Sequence, residues 1–509
     1  MLLAEVSVVW PVAAAPPSMP APSSDHTVTR DAVETTDQLR AIIASSSSSG
    51  ASVDVWVMPG AILKLGGTPL VIHGFNMTLQ SEGVATIDAE GLSSLLVSQS
   101  DRLELHSMVL QNGWNTTPDA VGTTAGGVSV DMGVLLLGNC TITNCTAVGN
   151  GSGTGHQGVF DTGGGILVEG GLLILSYSRV ESCHASTTVG AGGGLFVGIE
   201  GRVVATGSRF SNCQGIADMA LAGGALFVYD GTLALSHTTI VGCSASVKGT
   251  GSACTGSASP GQNAGGGICI LGGHVMLSYA EIVSCTASLL PSTSGSIGAA
   301  GGVEIVSQAR VNIFASKIIN CSGESYSYAA GALDFDGGSV ELIDSMVMRC
   351  TAMVQGHASS GGILDHAGTG HSVKGCFIVH CVAHAQTKAG GGLIFLTGGS
   401  TTINNSTLEG CAAHAASAVA SAMYIESTSS LGATLTATLL RIVASDEDCS
   451  TAIIALGAEL NVFQARSLKV KLPTTSAKPL TTGSAAVPAM WWRFHAFRWP
   501  SRLSLWPER

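Results

Sequence analysis

GGGLFVGIEGRVVATGSRFSNC runs from Gly192 to Cys213, and GGALFVYDGTLALSHTTIVGC repeats its design from Gly223 to Cys243. A glycine pair, a short apolar run and one cysteine recur in step, so periodicity is the first property to measure. From the apolar residue after the glycines to the cysteine, the spacing is 17 residues in Val128–Cys145, Ile166–Cys183, Leu226–Cys243, Ile268–Cys285 and Leu333–Cys350. It is 18 residues in Leu195–Cys213, Val303–Cys321, Ile363–Cys381 and Leu393–Cys411. The interval from a cysteine to the next anchor varies instead, from 12 residues (Cys183 to Leu195) to 25 (Cys243 to Ile268). One part of each copy is rigidly specified and another accepts insertions, as a loop does.

Three columns run through the nine copies. An apolar residue stands three before each cysteine (Ile142, Val180, Phe210, Ile240) and another eight before it (Leu137, Leu175, Ala205, Leu235). The residue five before it is always small (Cys140, Ser178, Ser208, Thr238). Spacing inside the runs is two, the strand period, and no window carries a 3.6-residue pattern. This predicts an all-β parallel solenoid with three short strands per coil, glycines at the corners and apolar columns filling the bore. The cysteines, in one equivalent column, read as a ladder of small buried residues. Inter-coil disulfides are geometrically conceivable, and no Cys-x-x-Cys indicates a metal.

On these residues the chain resembles the right-handed parallel β-helix of the pectin-lyase-like superfamily. Its repeats are similar to those of chlamydial polymorphic outer-membrane proteins. Gly223-Gly224-Ala225-Leu226 matches their Gly-Gly-Ala-Ile/Leu signature. Phe210-Ser211-Asn212-Cys213 matches their Phe-x-x-Asn signature with cysteine in the place of the asparagine. The resemblance covers about residues 120–415 and implies an N-terminal helix capping the first coil. Such a helix is expected in TTDQLRAIIASSSSSG, with Thr36 as cap and Leu39, Ile42 and Ile43 on one face.

The expected organisation is a leader over 1–30, one β-helix domain over 31–470, and a linker with a Trp/Arg-rich tail over 471–509. The leader is a candidate signal peptide, although Glu5 and Pro11 interrupt its apolar run. The tail, with four of the seven tryptophans, is a candidate for interfacial membrane contact. No other run is long and apolar enough to predict a transmembrane helix. A net charge of −12 with only 11% charged residues gives no basic footprint for nucleic acid. Sequons at Asn76, Asn115, Asn150, Asn320 and Asn405 add weak support for an extracellular or cell-surface location.

Strand alternation places the residue after each anchor outward. That column holds Phe196, Phe227, Glu304, Asp334 and, in the last copy, Ile394; two residues on come Tyr229, Asp336, His366 and Leu396. Phe196, Phe227 and Tyr229 are therefore expected to form an apolar binding strip on the outer face. Glu304, Asp334 and Asp336 are expected beside it as an acidic centre, with His366 one coil further. Two carboxylates about 5–10 Å apart serve glycoside hydrolysis, and the resemblance implies glycosidases or Ca²⁺-dependent lyases that use such strands. Glu304, Asp334 and Asp336 are accordingly the candidate Ca²⁺ ligands and, with His366, the candidate catalytic residues. The Asn-x-Asp, Asp-Asp, His-Gly and Arg-x-Lys set of polygalacturonases is absent. Two readings follow. The first is a non-enzymatic surface protein presenting a flat face to a glycan or protein. The second is a polysaccharide lyase or glycoside hydrolase using the acidic centre.

Overall fold

The computed structural model describes residues 31–463, except 118–123, 150–160, 219, 249–261, 290–296 and shorter stretches after 355. The leader, the tail, the interval 249–261 and Cys411 lie outside the described residues. Within them the chain forms a parallel β-solenoid whose strands pair coil to coil in register.

One coil shows the plan. Leu195–Val197 belongs to a 13-stranded sheet (sheet I). Arg202–Thr206 and Arg209–Ser211 both belong to a 26-stranded sheet (sheet II). Gln214–Ala217 lies in a 10-stranded sheet (sheet III) and Leu221–Gly223 in an 8-stranded one (sheet IV). Leu226–Tyr229 then re-enters sheet I, pairing Leu195 with Leu226 and Phe196 with Phe227. Five strand segments thus stand where three were expected. One reason is a left-handed residue six before each cysteine, as at Asn139, Tyr177 and His237 (φ 52°, 51° and 50°), which divides the run within sheet II. The other is that the small residues before the glycine pair make a strand of their own.

A second left-handed residue precedes the column cysteine, as at Asn144, Ser182 and Asn212 (φ 53° at each). It turns the corner so that the thiol points into the bore. Cys145, Cys183, Cys213, Cys243, Cys285, Cys321, Cys350 and Cys381 are all buried and unbridged. Each thiol donates to the carbonyl two residues back, as Cys213 Sγ does to Ser211 O at 3.5 Å. The row five before it is small because it is a second ladder. Ser178 Oγ donates to Leu137 O (2.9 Å) one coil away and accepts from Cys140 N (3.1 Å).

The first glycine of each pair is forced by close backbone approach. A Cβ on Gly224 would lie 2.0 Å from Gly266 O and 2.7 Å from the Ser244 backbone. The second position is roomier, and Ala225 and Ala332 occupy it. So does Leu393: Ile363 pairs with Ile394, and Ile363 N donates to Leu393 O. The anchor of that copy is therefore Ile394 rather than Leu393. This shift makes Phe395 the residue facing away from the bore and turns Leu396 inward, correcting the expected register.

Thr36–Ser49 is a helix that caps the first coil, with Leu39 buried and Ile42 and Ile43 packed on the core. Its N-cap is Thr35 rather than Thr36. Thr35 Oγ1 accepts from Gln38 N, and Gln38 Oε1 accepts from Thr35 N, closing a capping box. Among the described residues no helix is long and apolar enough to cross a membrane.

Candidate functional site

The column that faces away from the bore does not face solvent. Sheet IV folds over sheet I and covers it. Phe196 and Phe227 (0% and 1% exposed) pack against Ala220 and Leu221, and Leu364, Phe395 and Tyr424 pack against Ala300 and Ala330. Phe196 and Phe227 do meet, with ring centroids 5.1 Å apart, and Tyr229 is half-buried at their edge. They form a second core layer, not an outer binding strip. Period-two alternation tells which residues leave the bore, but it cannot tell that a returning strand covers them.

Glu304 and Asp334 lie in the same covered layer, side by side in register and both 0% exposed. Among the described residues none of their four carboxylate oxygens has a well-formed hydrogen-bond partner, and only the Phe335 backbone amide reaches towards Asp334. Burial pushes the Glu304 carboxyl well above its usual range, and the charges of Asp334 and Asp336 add to this. Burial does the same to Asp334, helped by Asp336 and Asp365. Asp336, half-buried two residues on, is raised by burial as well. His366 Nε2 stands 3.6 Å from Asp334 Oδ1, with its ring edge-on to Tyr328 at 4.4 Å. Burial lowers His366 to about 4, so its imidazole is neutral at pH 7.

The structure therefore gathers Glu304, Asp334 and His366, with Asp336 at the margin. Sheet IV adds Asn263 and Gly298, which the sequence reading missed. Asn263 Oδ1 accepts from Gly298 N at 3.0 Å. Among the described residues no three His, Cys, Asp or Glu side chains gather as a metal-binding group, so Glu304, Asp334 and Asp336 do not form a cage by themselves. A carboxylate pair with no exposed surface also has no open side from which a polysaccharide could reach it.

A different exposed feature lies on the outer face of sheet II. The left-handed row six before the cysteines carries Tyr177, Gly207, His237 and Tyr279. Its side chains project to solvent, leaving Tyr177 72% and Tyr279 51% exposed. His237 and Tyr279 stack at 4.9 Å, and Phe314 meets Tyr279 edge-on at 5.6 Å. Tyr177 lies over Gly207, whose added Cβ would come 2.7 Å from the ring. The ridge spans five coils, about 19 Å at the strand spacing. Beside it Arg179 and Arg209 are register partners, both exposed. Neither belongs to an ion pair among the described residues.

No family model matches the chain, and no curated protein matches it. A solved structure, the catalytic unit of a thermostable GH87 α-1,3-glucanase from Streptomyces thermodiastaticus strain HF3-3, is similar at 14% identity with a TM-score of 0.34. The match covers 83% of this chain and 67% of that one. No shared chemistry follows from a likeness of that strength.

Proposed function

We propose that this chain is a non-enzymatic, surface-exposed or extracellular β-helix protein that binds a glycan along the outer face of sheet II. Membership of the pectin-lyase-like superfamily is part of the same reading, and rests on the repeat signatures. The observation that carries it is the exposed aromatic ridge of Tyr177, His237, Tyr279 and Phe314. Rings held in line on a rigid sheet make an exposed apolar ridge against which sugar rings can pack, and little conformational freedom is lost on binding. Two adjacent arginines without carboxylate partners repel one another and would be relieved by an anionic group. The ligand favoured is therefore a glycan bearing carboxylate or sulfate groups. The burial of Glu304 and Asp334 supports the non-catalytic reading over a lyase or hydrolase.

The test is a glycan array and titration calorimetry on the full chain. Binding to acidic polysaccharides should be lost in Tyr177→Ala/Tyr279→Ala. In Arg179→Ala/Arg209→Ala it should weaken and lose its salt dependence. Depolymerisation of a glucan or polyuronate that disappears in Glu304→Gln would overturn the proposal in favour of an enzyme.

A further inference from the structure

We propose that Glu304 and Asp334 form a proton-operated latch between sheets I and IV. Both stay neutral acids while the sheets are closed, and loss of those protons lifts sheet IV off sheet I at this point. The inference is independent of the glycan reading, because the latch lies on another side of the coil and is sealed from solvent.

The covered column of sheet I changes character at one place. It runs Phe227, Cys269, Glu304, Asp334, Leu364 and Phe395 in register. Phe227 and Cys269 belong to one apolar cluster beneath sheet IV, and Leu364 and Phe395 belong to another. The two carboxyls sit between these clusters, both 0% exposed. The seam is therefore apolar on either side and acidic at a single pair of rungs.

No group facing the pair offsets a negative charge. On sheet I, Cys269 lies beside Glu304, while Asp336 and Asp365 add only further negative charge. His366 Nε2 is 3.6 Å from Asp334 Oδ1, but its imidazole is neutral at pH 7. The opposing row of sheet IV holds Asn263, Gly298 and Tyr328 in register, none of them cationic. No lysine or arginine pairs with either carboxyl among the described residues. The Gly298 backbone also lies directly over the acids. A Cβ built there would come 3.1 Å from Asp334 Oδ2 and 3.1 Å from Glu304 Oε1. A water needs a cavity of its own and several polar partners, which so close a contact denies while sheet IV is closed.

Protonation is what lets both groups stay buried, since an ionised carboxylate in such a place carries a heavy desolvation cost. Burial accordingly raises both well above the usual carboxylate range. Their contribution to closure is complete below about pH 4, where the unfolded carboxyls are themselves protonated. It is lost as the pH rises through the elevated folded values. Ionisation then draws water into the seam. The strands Gln262–Gly265 and Ile297–Ala300 part from sheet I, while the bore beneath stays packed.

The experiment follows the full chain from mildly acidic to alkaline pH by infrared spectroscopy and by hydrogen exchange read with mass spectrometry. At pH 7 the infrared spectrum should contain the carbonyl stretch of buried, protonated carboxyls, and the contribution of this pair should disappear in Glu304→Gln/Asp334→Asn. With the intrinsic exchange rate divided out, protection of Gln262–Gly265 and Ile297–Ala300 should fall as the pH rises. Two protons set its steepest slope at about a hundredfold per pH unit. A strand of sheet II such as Thr232–Ser236 should keep its protection over the same range. The double variant imitates the protonated pair and should hold sheet IV closed throughout. The proposal fails if wild type shows no protonated-carboxyl band at pH 7, which would mean that Asp334 is ionised against a charged His366. It also fails if protection of the sheet IV strands is indifferent to pH, falls together with that of sheet II, or falls as steeply in the double variant. All but the last are read on wild type, so a double variant that does not fold leaves them decisive.

Discussion

His371 Nε2 lies 3.6 Å from Asp365 Oδ1 inside the bore, both side chains fully buried. Coils further from this pair carry aliphatic residues at the two positions, Val197 with Val203 and Val228 with Leu233. Thr401 Oγ1 donates to Asp365 Oδ2 at 2.6 Å, and His371 Nδ1 accepts from Val340 N at 3.2 Å. Breaking such a pair leaves a buried polar group stranded, whereas replacing both partners restores the apolar column. His371→Leu alone should destabilise by about 1–3 kcal/mol, the cost of a buried polar group left without its neighbour. Asp365→Val/His371→Leu should be near neutral, which chemical denaturation of the three proteins would show.

The same pair sets a pH dependence. Burial lowers His371 from 6.5 to about 4, so the unfolded chain takes up a proton before the folded one does. Stability from this group is full above pH 6.5 and is lost as pH falls from there towards 4. Melting curves across that window should fall for wild type and flatten for Asp365→Val/His371→Leu. An equally steep decline in the variant would assign the acid limb to other groups.

Glycine should prove indispensable at one position of the pair and replaceable at the other. Gly224→Ala places a Cβ against two backbones and should abolish soluble expression. Gly267→Ala, where the contacts are 2.8 Å to Gly302 O and 2.9 Å to an Ile282 methyl, should fold with a lowered melting temperature. Ala225 already shows that this second place accepts a methyl.

The cysteine column gives a chemical signature. All eleven described thiols are buried, and burial pushes Cys140 and Cys376 up to about 11. They should stay unreactive towards a thiol reagent at pH 8 until the chain unfolds. Cys213→Ser should cost roughly 1–3 kcal/mol, since its hydroxyl inherits the thiol's carbonyl acceptors. Cys213→Asp puts an unpaired charge in the bore and should prevent folding. A soluble, cooperatively melting Cys213→Asp protein would remove the column from the core.

Deleting residues 249–261 should leave the solenoid intact. The flanking strands Ser244–Val247 and Gln262–Gly265 pair in register with both neighbouring coils, and only Thr188 and Val189 separate the corresponding strands Gly190–Gly192 and His184–Thr187. An unchanged circular dichroism spectrum and a melting temperature close to wild type would bear this out.

Most of the fold was legible because each coil repeats the same packing problem. A residue such as Ile240 or Leu235 must fill one slot of the bore in every copy, so its column shows in a single sequence. The outer layer was less legible for a physical reason. Phe196, Glu304 and Asp334 leave the bore as alternation requires, but what covers them are strands of three or four residues, rich in glycine and alanine, too short to show an apolar period. The ridge was missed because Tyr177, His237 and Tyr279 occupy a left-handed corner. That corner shows in sequence only as an irregular mixture of Asn, Gly, Asp and aromatic residues. The Asp365–His371 pair was missed because a charge in an apolar column reads as an exception until its partner is placed.

Sheets III and IV touch mainly through alanine and valine, Ala217, Ala222, Ala245, Val247, Ala264 and Ala299 among them. The crossover from one to the other takes two residues after Thr187 and fourteen after Val247, and neither sheet loses register. The pitch of the coil is therefore blind to whatever is spliced at that margin. A scaffold with this property is a rack. Unrelated peptides inserted at successive crossovers would be held in parallel at about 4.8 Å intervals, and each could diversify without renegotiating the core that carries it.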